Sequence, residues 1–263
     1  MTMLAQIKAV ILDMDGVIWR GPEILPGVPD LFVFLRGCNI PYAMATNNSS
    51  KNVAEYVARL ESLGIPVQDE HIITSGLVTA ETLTRTFPAG TPIYVIGSDS
   101  LAQLLTSYGY PINPDTAQIV VVGLDTTLTY DKLRIAGQRI LAGAEFIGTN
   151  GDLTLPTENG IVPGAGSILA AIQAMTGKKP RLMGKPEPEM FQVSVERLHT
   201  TPEQTLMVGD RLDTDIEGAV RADLRTALVL TGVSTRADIG DIAPDAIYEN
   251  LAALLADWQN SGR

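Results

Sequence analysis

Short apolar runs alternate with amphipathic segments along almost the whole chain, and this alternation limits the fold more than any other feature. The clearest helical pattern runs from Val53 to Leu63 and is followed by Gly64, a common helix stop. Uninterrupted apolar strands that alternate with helices predict an α/β fold with parallel sheets covered on both faces. The runs that we interpret as strands are Ala9–Leu12, Tyr42–Ala45, Ile72–Thr74, Ile93–Ile96, Ile119–Val122, Glu145–Ile147, Leu206–Val208 and Thr226–Leu230.

The residues of unusual chemistry fall in two separate blocks, residues 1–80 and 181–263. The stretch between them, 81–180, has strand and helix patterns of its own together with Gly-rich turns. This arrangement predicts one α/β domain with a second α/β domain inserted into it.

The composition is that of a globular protein with an excess of acidic groups. The chain has 263 residues, of which 45% are hydrophobic, and a formal net charge of −11. This charge argues against non-specific binding to nucleic acids and against binding to anionic membrane surfaces. An anionic substrate therefore needs a local positive site. No apolar run is long enough to cross a bilayer, so we expect a cytoplasmic protein.

The cysteine and histidine content gives no sign of a thiol or imidazole site. A single cysteine, Cys38, excludes an intramolecular disulfide and does not indicate a zinc cluster. The two histidines, His71 and His199, lack the spacing of metal ligands, which favours packing or surface roles.

Two aspartates one residue apart, Asp13 and Asp15, directly follow the first predicted strand in the segment Asp-Met-Asp-Gly-Val. Ionised carboxylates are seldom buried without a partner, and two together repel each other. A divalent cation would cancel that repulsion, leaving one carboxylate free to attack and the other to move a proton. The alternative is an ordinary Asp-Gly turn in which both residues only cap the next element.

Three further polar segments follow predicted strands or precede predicted helices. Thr46 and Asn47 directly follow the second strand, Lys185 stands in a Gly-Lys-Pro turn, and Asp210 and Asp215 follow the strand at 206–208. Each segment alone is typical of a loop or a helix cap. Together they offer phosphate donors, a positive charge and further acids at strand ends, where open α/β sheets bind ligands. We therefore expect the segments to converge on one site.

These four segments resemble, in order and character, the four motifs of the haloacid dehalogenase (HAD) superfamily, and the match extends over nearly the full chain. Other segments resemble the NagD-like para-nitrophenyl phosphatase group (subclass IIA), which carries a large α/β cap between its second and third motifs. The resemblance implies a Rossmann-like parallel-sheet core from 1–80 and 181–263 with the cap at 81–180. The segments that carry this closer resemblance are Gly148–Asp152, Leu155–Thr157, Pro163–Gly166 and Gly184–Pro186.

The resemblance also implies a role for each motif residue. Asp13 would attack phosphorus and form an aspartyl-phosphate, and Asp15 would protonate the leaving oxygen and then activate water. Thr46 and the Asn47 backbone would hold the phosphoryl group, while Lys185 would neutralise its charge. An acid at position 15 favours phosphate esters over halides, because a halide leaves without a proton.

The same resemblance implies magnesium as the cofactor. Mg²⁺ would be bound by Asp13, the backbone carbonyl of Asp15 and Asp210, with Asp215 in support. The resulting prediction is a Mg²⁺-dependent phosphomonoesterase of small phosphorylated metabolites. The alternatives are a phosphomutase-like phosphoryl transferase and a non-catalytic phosphate-binding regulator.

Substrate specificity is expected in the cap, at Asn150 and Asp152 of the Gly148–Asp152 loop, although a tight turn explains that loop equally well. The cap has no dense basic cluster, which favours a monophosphate ester with a neutral or modestly polar remainder. Phosphoglycolate, nucleoside monophosphates, sugar phosphates and pyridoxal phosphate stay open. We expect a small-molecule partner and neither nucleic acid nor membrane, and a homodimer also stays open because caps of this group can dimerise.

Overall fold

A computed structural model of the chain describes residues 2–157 and 160–261. Within these residues the strands, β1 to β14, are Ala9–Leu12, Trp19–Arg20, Glu23–Ile24, Tyr42–Thr46, Ile72–Thr74, Ile93–Ile96, Ile119–Val122, Glu145–Gly148, Thr154–Thr157, Gly160–Pro163, Arg181–Leu182, Thr205–Gly209, Arg225–Val229 and Ala246–Tyr248. The α-helices, α1 to α9, are Val28–Gly37, Val53–Ser62, Ser75–Thr86, Asp99–Ser107, Tyr130–Leu141, Ala165–Thr176, Pro188–Arg197, Glu217–Arg221 and Leu251–Asn260.

The chain divides into two compact units. The first contains Met1–Thr46, Val53–Ile73 and Lys185–Arg263, and the second contains Asn47–Asn52 and Thr74–Gly184. The second unit therefore includes a short segment after β4 and begins at Thr74, whereas the insert expected from the sequence begins at residue 81. The division into a catalytic core and a functional cap stays a prediction.

The first unit is built on a sheet in the order β14-β13-β12-β1-β4-β5. The pairs from β14 to β4 are parallel, and Leu12 of β1 lies opposite both Val208 and Met44. All four residues of β1 are buried. Because successive side chains of a strand point to opposite faces, both faces of this sheet are covered, as the sequence predicted.

Helices α1, α2 and α9 cover one face of that sheet. Val10 and Leu12 of β1 share a core cluster with Phe32 of α1, Leu60 of α2 and Trp258 of α9. The packing holds β1 between its neighbours, so the loop after Leu12 starts from a fixed point.

The second unit has a parallel sheet in the order β11-β8-β7-β6 and an antiparallel hairpin of β9 and β10. Val120 and Val122 of β7 pack against Ile140 of α5 and Ile168 of α6. Ser98 and Thr129 cap the N-termini of α4 and α5, because their side chains accept hydrogen bonds from backbone N–H groups of the first turn.

The predicted fold class is confirmed. Every strand expected from the sequence is present, with ends at most one residue from the expected positions. The hairpins β2–β3 and β9–β10 and the short strands β11 and β14 were not predicted. Strands β2, β3, β11 and β14 have only two or three residues, which carry too little periodicity to identify a strand. Strands β9 and β10 have four residues each, and each contains a proline, which weakens a strand pattern. Within residues 2–157 and 160–261, no helix combines the length and apolar character needed to cross a membrane.

Candidate active site

Three neighbouring parallel strands of the first unit end beside polar residues that the sequence singled out. Asp13 follows β1, Thr46 ends β4 and Asp210 follows β12. The strands are adjacent in the order β12-β1-β4, so their carboxyl ends lie at one edge of the sheet. The backbone N–H of Asp13 donates to the carbonyl of Val208 at 2.9 Å, which extends the β1–β12 pairing to the site.

Three carboxylates meet at this edge. Asp13, Asp210 and Asp215 each offer an oxygen, and these oxygens lie within 4.8 Å of one another. Asp215 is carried by a short π-helical turn, Leu212–Ile216, directly after β12. The turn places Asp215 in the buried cluster and leaves Asp213 exposed, paired with Arg211 at 2.8 Å.

Backbone N–H groups fix two of these carboxylates. Oδ2 of Asp215 accepts from the N–H groups of Asp210 at 3.2 Å and Arg211 at 3.1 Å. Oδ2 of Asp210 accepts from the N–H of Val233 at 2.7 Å. Each acid thus has a defined rotamer before any cation binds.

The ammonium group of Lys185 lies among these acids, and the side chain is only 3% exposed. Its Nζ forms an ion pair with Oδ1 of Asp13, lies 2.7 Å from Oδ1 of Asp215 and donates to the carbonyl of Ala45 at 3.2 Å. A lysine is seldom buried without such partners. The pairing explains why Lys185 is buried in the structure, although a Gly-Lys-Pro turn is typical of the protein surface.

The electrostatics of the cluster indicate excess negative charge. Burial raises the pKa of Asp13 well above its usual range, with Asp215 and Asp210 adding to the rise and Lys185 opposing it. Burial and the neighbouring Asp215 raise the pKa of Asp210 to about 6. Burial alone would lower the pKa of Lys185, but Asp13 and Asp215 outweigh it, so the pKa is raised and the lysine stays charged. One lysine does not neutralise three carboxylates.

The donor set fits a hard divalent cation. All three acids offer carboxylate oxygens, the ligands that Mg²⁺ prefers, and a cation would offset the negative charge that Lys185 leaves uncompensated. Asp215 has fewer lone pairs available for a cation than Asp210, because it accepts hydrogen bonds from two backbone N–H groups and faces Lys185.

Three glycines lie so close to the carboxylates of Asp210 and Asp215 that any side chain at these positions would overlap them. A Cβ at Gly16, whose φ is +89°, would lie 2.6 Å from Cγ of Asp210. A Cβ at Gly232 would overlap the carboxylate of Asp210, and one at Gly209 would overlap Asp215. Sequence reasoning did not single out Gly232, although it follows β13 at the same edge of the sheet.

Asp15 lies on the loop between β1 and β2 and is exposed, in contrast to Asp13. Its Oδ1 accepts a hydrogen bond of 2.8 Å from the indole Nε1–H of Trp19. Sequence reasoning missed Trp19, since an aromatic residue after Val17 and Ile18 is typical of a core residue.

Thr46 is buried at the end of β4, where its side chain is hydrogen-bonded to that of Tyr56 on α2. Burial, with the nearby charge of Asp15, raises the pKa of Tyr56, so the phenol stays protonated at physiological pH. Sequence reasoning took Tyr56 only as a member of the apolar face of α2.

The other predicted site residues form a polar cluster within the second unit. Nδ2 of Asn47 donates to Oδ2 of Asp152 at 3.2 Å, and Nδ2 of Asn150 donates to the Asn47 carbonyl at 2.7 Å. The N–H of Asp152 donates to Oδ1 of Asn150 at 3.1 Å. These bonds hold the 47–52 segment against the 148–152 loop, and a role of Asn150 and Asp152 in specificity stays a prediction.

Comparison with known proteins identifies similar chains over almost the full length. Residues 10–111 match the family model of haloacid dehalogenase-like hydrolases, and residues 182–254 match a HAD-hydrolase-like model. An acid sugar phosphatase of Staphylococcus saprophyticus is 38% identical over 96% of this chain and 98% of its own length.

Solved structures give the same result. A 4-nitrophenylphosphatase from Thermotoga maritima superposes with a TM-score of 0.93 at 37% identity, covering 97% of this chain and 99% of that one. NagD from E. coli K-12 superposes with a TM-score of 0.88 at 31% identity, covering 94% of this chain and 97% of that one. The motif resemblance and the structural likeness therefore point to the same group of proteins.

Proposed function

The chain belongs to the haloacid dehalogenase-like hydrolases, and on that basis we propose that it is a Mg²⁺-dependent phosphomonoesterase of small phosphorylated metabolites. The family resemblance that the motifs indicated is thereby confirmed. The observation that carries the proposal is the buried cluster of Asp13, Asp210 and Asp215, in which Lys185 pairs with Asp13 and Asp215.

Asp13 is the proposed nucleophile. One of its carboxylate oxygens forms a bond to phosphorus while the bond from phosphorus to the ester oxygen breaks, and Asp15 gives its proton to that leaving oxygen. In the second half-reaction a water molecule gives a proton to Asp15 as its oxygen attacks phosphorus. The bond between phosphorus and Asp13 then breaks and phosphate is released, which restores both side chains.

The surrounding residues hold charge and position. Lys185 neutralises the phosphoryl oxygens, and Thr46 with the backbone of Asn47 donates hydrogen bonds to them. Mg²⁺ would be held by Asp13, the Asp15 carbonyl and Asp210, and it supplies positive charge that stabilises the transferring phosphoryl group. Asp215 supports the ligands through the backbone of Asp210 and through Lys185.

The substrate class proposed first is a sugar phosphate or a similar small monoester. The similar proteins named as acid sugar phosphatase and 4-nitrophenylphosphatase support this choice. Asn150 and Asp152 stay the proposed specificity residues, and a cytoplasmic location and a homodimer stay predictions.

The test is hydrolysis of a panel of phosphorylated metabolites with Mg²⁺ and with EDTA, using the wild type and Asp13→Asn. We expect phosphate release that requires Mg²⁺ and is lost in Asp13→Asn. Asp213→Asn is the matched control, because Asp213 is an exposed acid two residues from Asp215 and outside the cluster. Activity that persists in Asp13→Asn, or no release from any ester with Mg²⁺ present, would overturn the proposal.

A further inference from the structure

We propose that Trp19 is a positioning residue for Asp15 and determines which of its two carboxylate oxygens exchanges the catalytic proton. This inference rests on the proposed function, in which Asp15 is the acid and base. It concerns a residue that the motif comparison did not assign to the reaction.

The hydrogen bond itself distinguishes the two oxygens of Asp15. The indole Nε1–H lies 2.8 Å from Oδ1. An indole N–H can only donate, so Oδ1 must accept. Accepting this bond makes Oδ1 the less basic oxygen, so the proton that Asp15 gives to the leaving group is carried preferentially on Oδ2. When the carboxylate is ionised the same bond is charge-assisted, which strengthens it.

The donor is rigid although the acceptor is exposed. Trp19 is 0% exposed and belongs to the core cluster of the first unit, whereas Asp15 faces solvent. The N–H of Trp19 donates to the carbonyl of Met14 at 3.2 Å, and its own carbonyl accepts from the N–H of Gly16 at 2.7 Å. Trp19 also pairs with Ile24 in the β2–β3 hairpin. The backbone and the ring of Trp19 are thus held in place, so its indole can hold the carboxylate of Asp15 in one position.

Arg59 of α2 secures the outer face of this indole. Its guanidinium carbon lies 3.8 Å from the centroid of the Trp19 ring, within the range of a cation–π contact. The same guanidinium donates to the carbonyl of Gly21 in the turn of the hairpin. The contact covers the ring and ties α2 to the segment that carries Asp15.

Fixing the carboxylate matters because proton transfer requires a defined position. An exposed aspartate samples several rotamers, and an acid that is in the correct place only part of the time donates less effectively. The loss is greatest for an alkyl ester, whose alkoxide cannot leave without a proton. It is small for p-nitrophenyl phosphate, because nitrophenolate leaves readily as an anion.

The experiment compares two substitutions of the same type, Trp19→Phe and Trp258→Phe. Both indoles are 0% exposed and belong to the same core cluster. The Nε1–H of Trp258 has no hydrogen-bond partner within residues 2–157 and 160–261. Both variants lose part of a buried ring, but only Trp19→Phe loses a hydrogen bond to a carboxylate.

The readout is kcat/KM for a sugar phosphate and for p-nitrophenyl phosphate, since kcat/KM reports the steps up to departure of the leaving group. For Trp19→Phe we expect the sugar phosphate value to fall at least about tenfold further than the p-nitrophenyl phosphate value, since general acid catalysis contributes roughly 10²–10⁴. For Trp258→Phe we expect the ratio of the two values to stay at that of the wild type. Equal falls on both substrates in Trp19→Phe would overturn the inference.

A second replacement keeps the test decisive if Trp19→Phe does not fold. Site-specific insertion of β-(3-benzothienyl)alanine at position 19 retains the ring shape and replaces the N–H by sulfur. The same change in substrate ratio is expected, and an unchanged ratio would overturn the inference. Failure of the proposed function is recognised separately, without any change at position 19. It shows either as activity that persists in Asp13→Asn or as no phosphate release from any ester by the wild type.

Discussion

Nζ of Lys185 lies 2.7 Å from Oδ1 of Asp215, and both side chains are almost completely buried. Because Lys185 also pairs with Asp13, one ammonium group joins the proposed nucleophile to an acid on the turn after β12. Burying an ion pair costs desolvation energy, and the Coulomb attraction between the two groups largely offsets that cost. When one partner is removed, the other charge stays buried without this compensation.

Lys185→Met is predicted to lower both stability and activity. Removal of one partner of a buried pair leaves uncompensated carboxylates and costs about 3–5 kcal/mol of unfolding free energy. Urea unfolding checks this value, and added Mg²⁺ is expected to restore part of it, because the cation replaces the missing positive charge. Lys179→Met, at an exposed position, serves as the control and should unfold like the wild type. Equal stability of Lys185→Met and Lys179→Met would contradict the structure of the cluster.

Gly232→Ala is predicted to weaken metal binding without unfolding the protein. The added Cβ overlaps the carboxylate of Asp210 and must displace it. Changes beside a metal ligand typically cost about 10–100-fold in affinity. Titration calorimetry with Mg²⁺ measures the effect. At Gly240 a Cβ meets nothing within 4 Å, so Gly240→Ala is the matched control. An unchanged Mg²⁺ affinity in Gly232→Ala would show that Asp210 does not hold the ion.

Mg²⁺ binding is predicted to weaken in acid. The pKa of Asp210 in the metal-free protein is raised to about 6 by burial and by Asp215, so the carboxyl is protonated below that pH and ionised above it. Because a metal binds the ionised form, affinity should fall as the pH drops through about 6, and protonation of Asp13, whose pKa is also raised by burial, adds to the fall. Mg²⁺ titrations across this range check the sign. Affinity that is constant down to about pH 5 would contradict a role for Asp210 as a ligand.

Tyr56→Phe is predicted to impair substrate binding through Thr46. The substitution removes the hydroxyl that is hydrogen-bonded to Thr46 and frees that side chain to rotate. A lost hydrogen bond of about 1 kcal/mol corresponds to a roughly fivefold fall in kcat/KM, expected mainly in KM. Tyr42→Phe is the control, because Tyr42 is a buried tyrosine of the same core whose hydroxyl donates to the Pro66 carbonyl at 3.4 Å. Equal values of KM for both variants would contradict the role of Tyr56.

Local sequence patterns predicted the parts of this molecule that depend on strands. The apolar run at Ala9–Leu12 identified β1, and the strand end placed Asp13 at the edge of the sheet where Asp210 also lies. The expected convergence of polar segments, reinforced by the family resemblance, selected Lys185, because a Gly-Lys-Pro turn alone carries no signal of burial.

The remaining features depend on tertiary contacts that no local pattern records. The bond from Trp19 to Asp15 requires the β2–β3 hairpin to return the indole to the loop, and strands of two residues give no alternation. The close approach of Gly232 to Asp210 arises from the pairing of β13 with β12. The segment 47–52 belongs to the second unit through hydrogen bonds of Asn47, which the sequence placed with the core.

The proposed mechanism requires that Asp13 becomes phosphorylated during turnover. A rapid acid quench of the wild type with a substrate monoester, followed by mass spectrometry of the peptides, detects this intermediate. We predict the added mass of one phosphoryl group on Asp13 in the presence of Mg²⁺ and none in Asp13→Asn. Steady turnover with no phosphoryl group on Asp13, or with the group on another residue, would exclude Asp13 as the nucleophile.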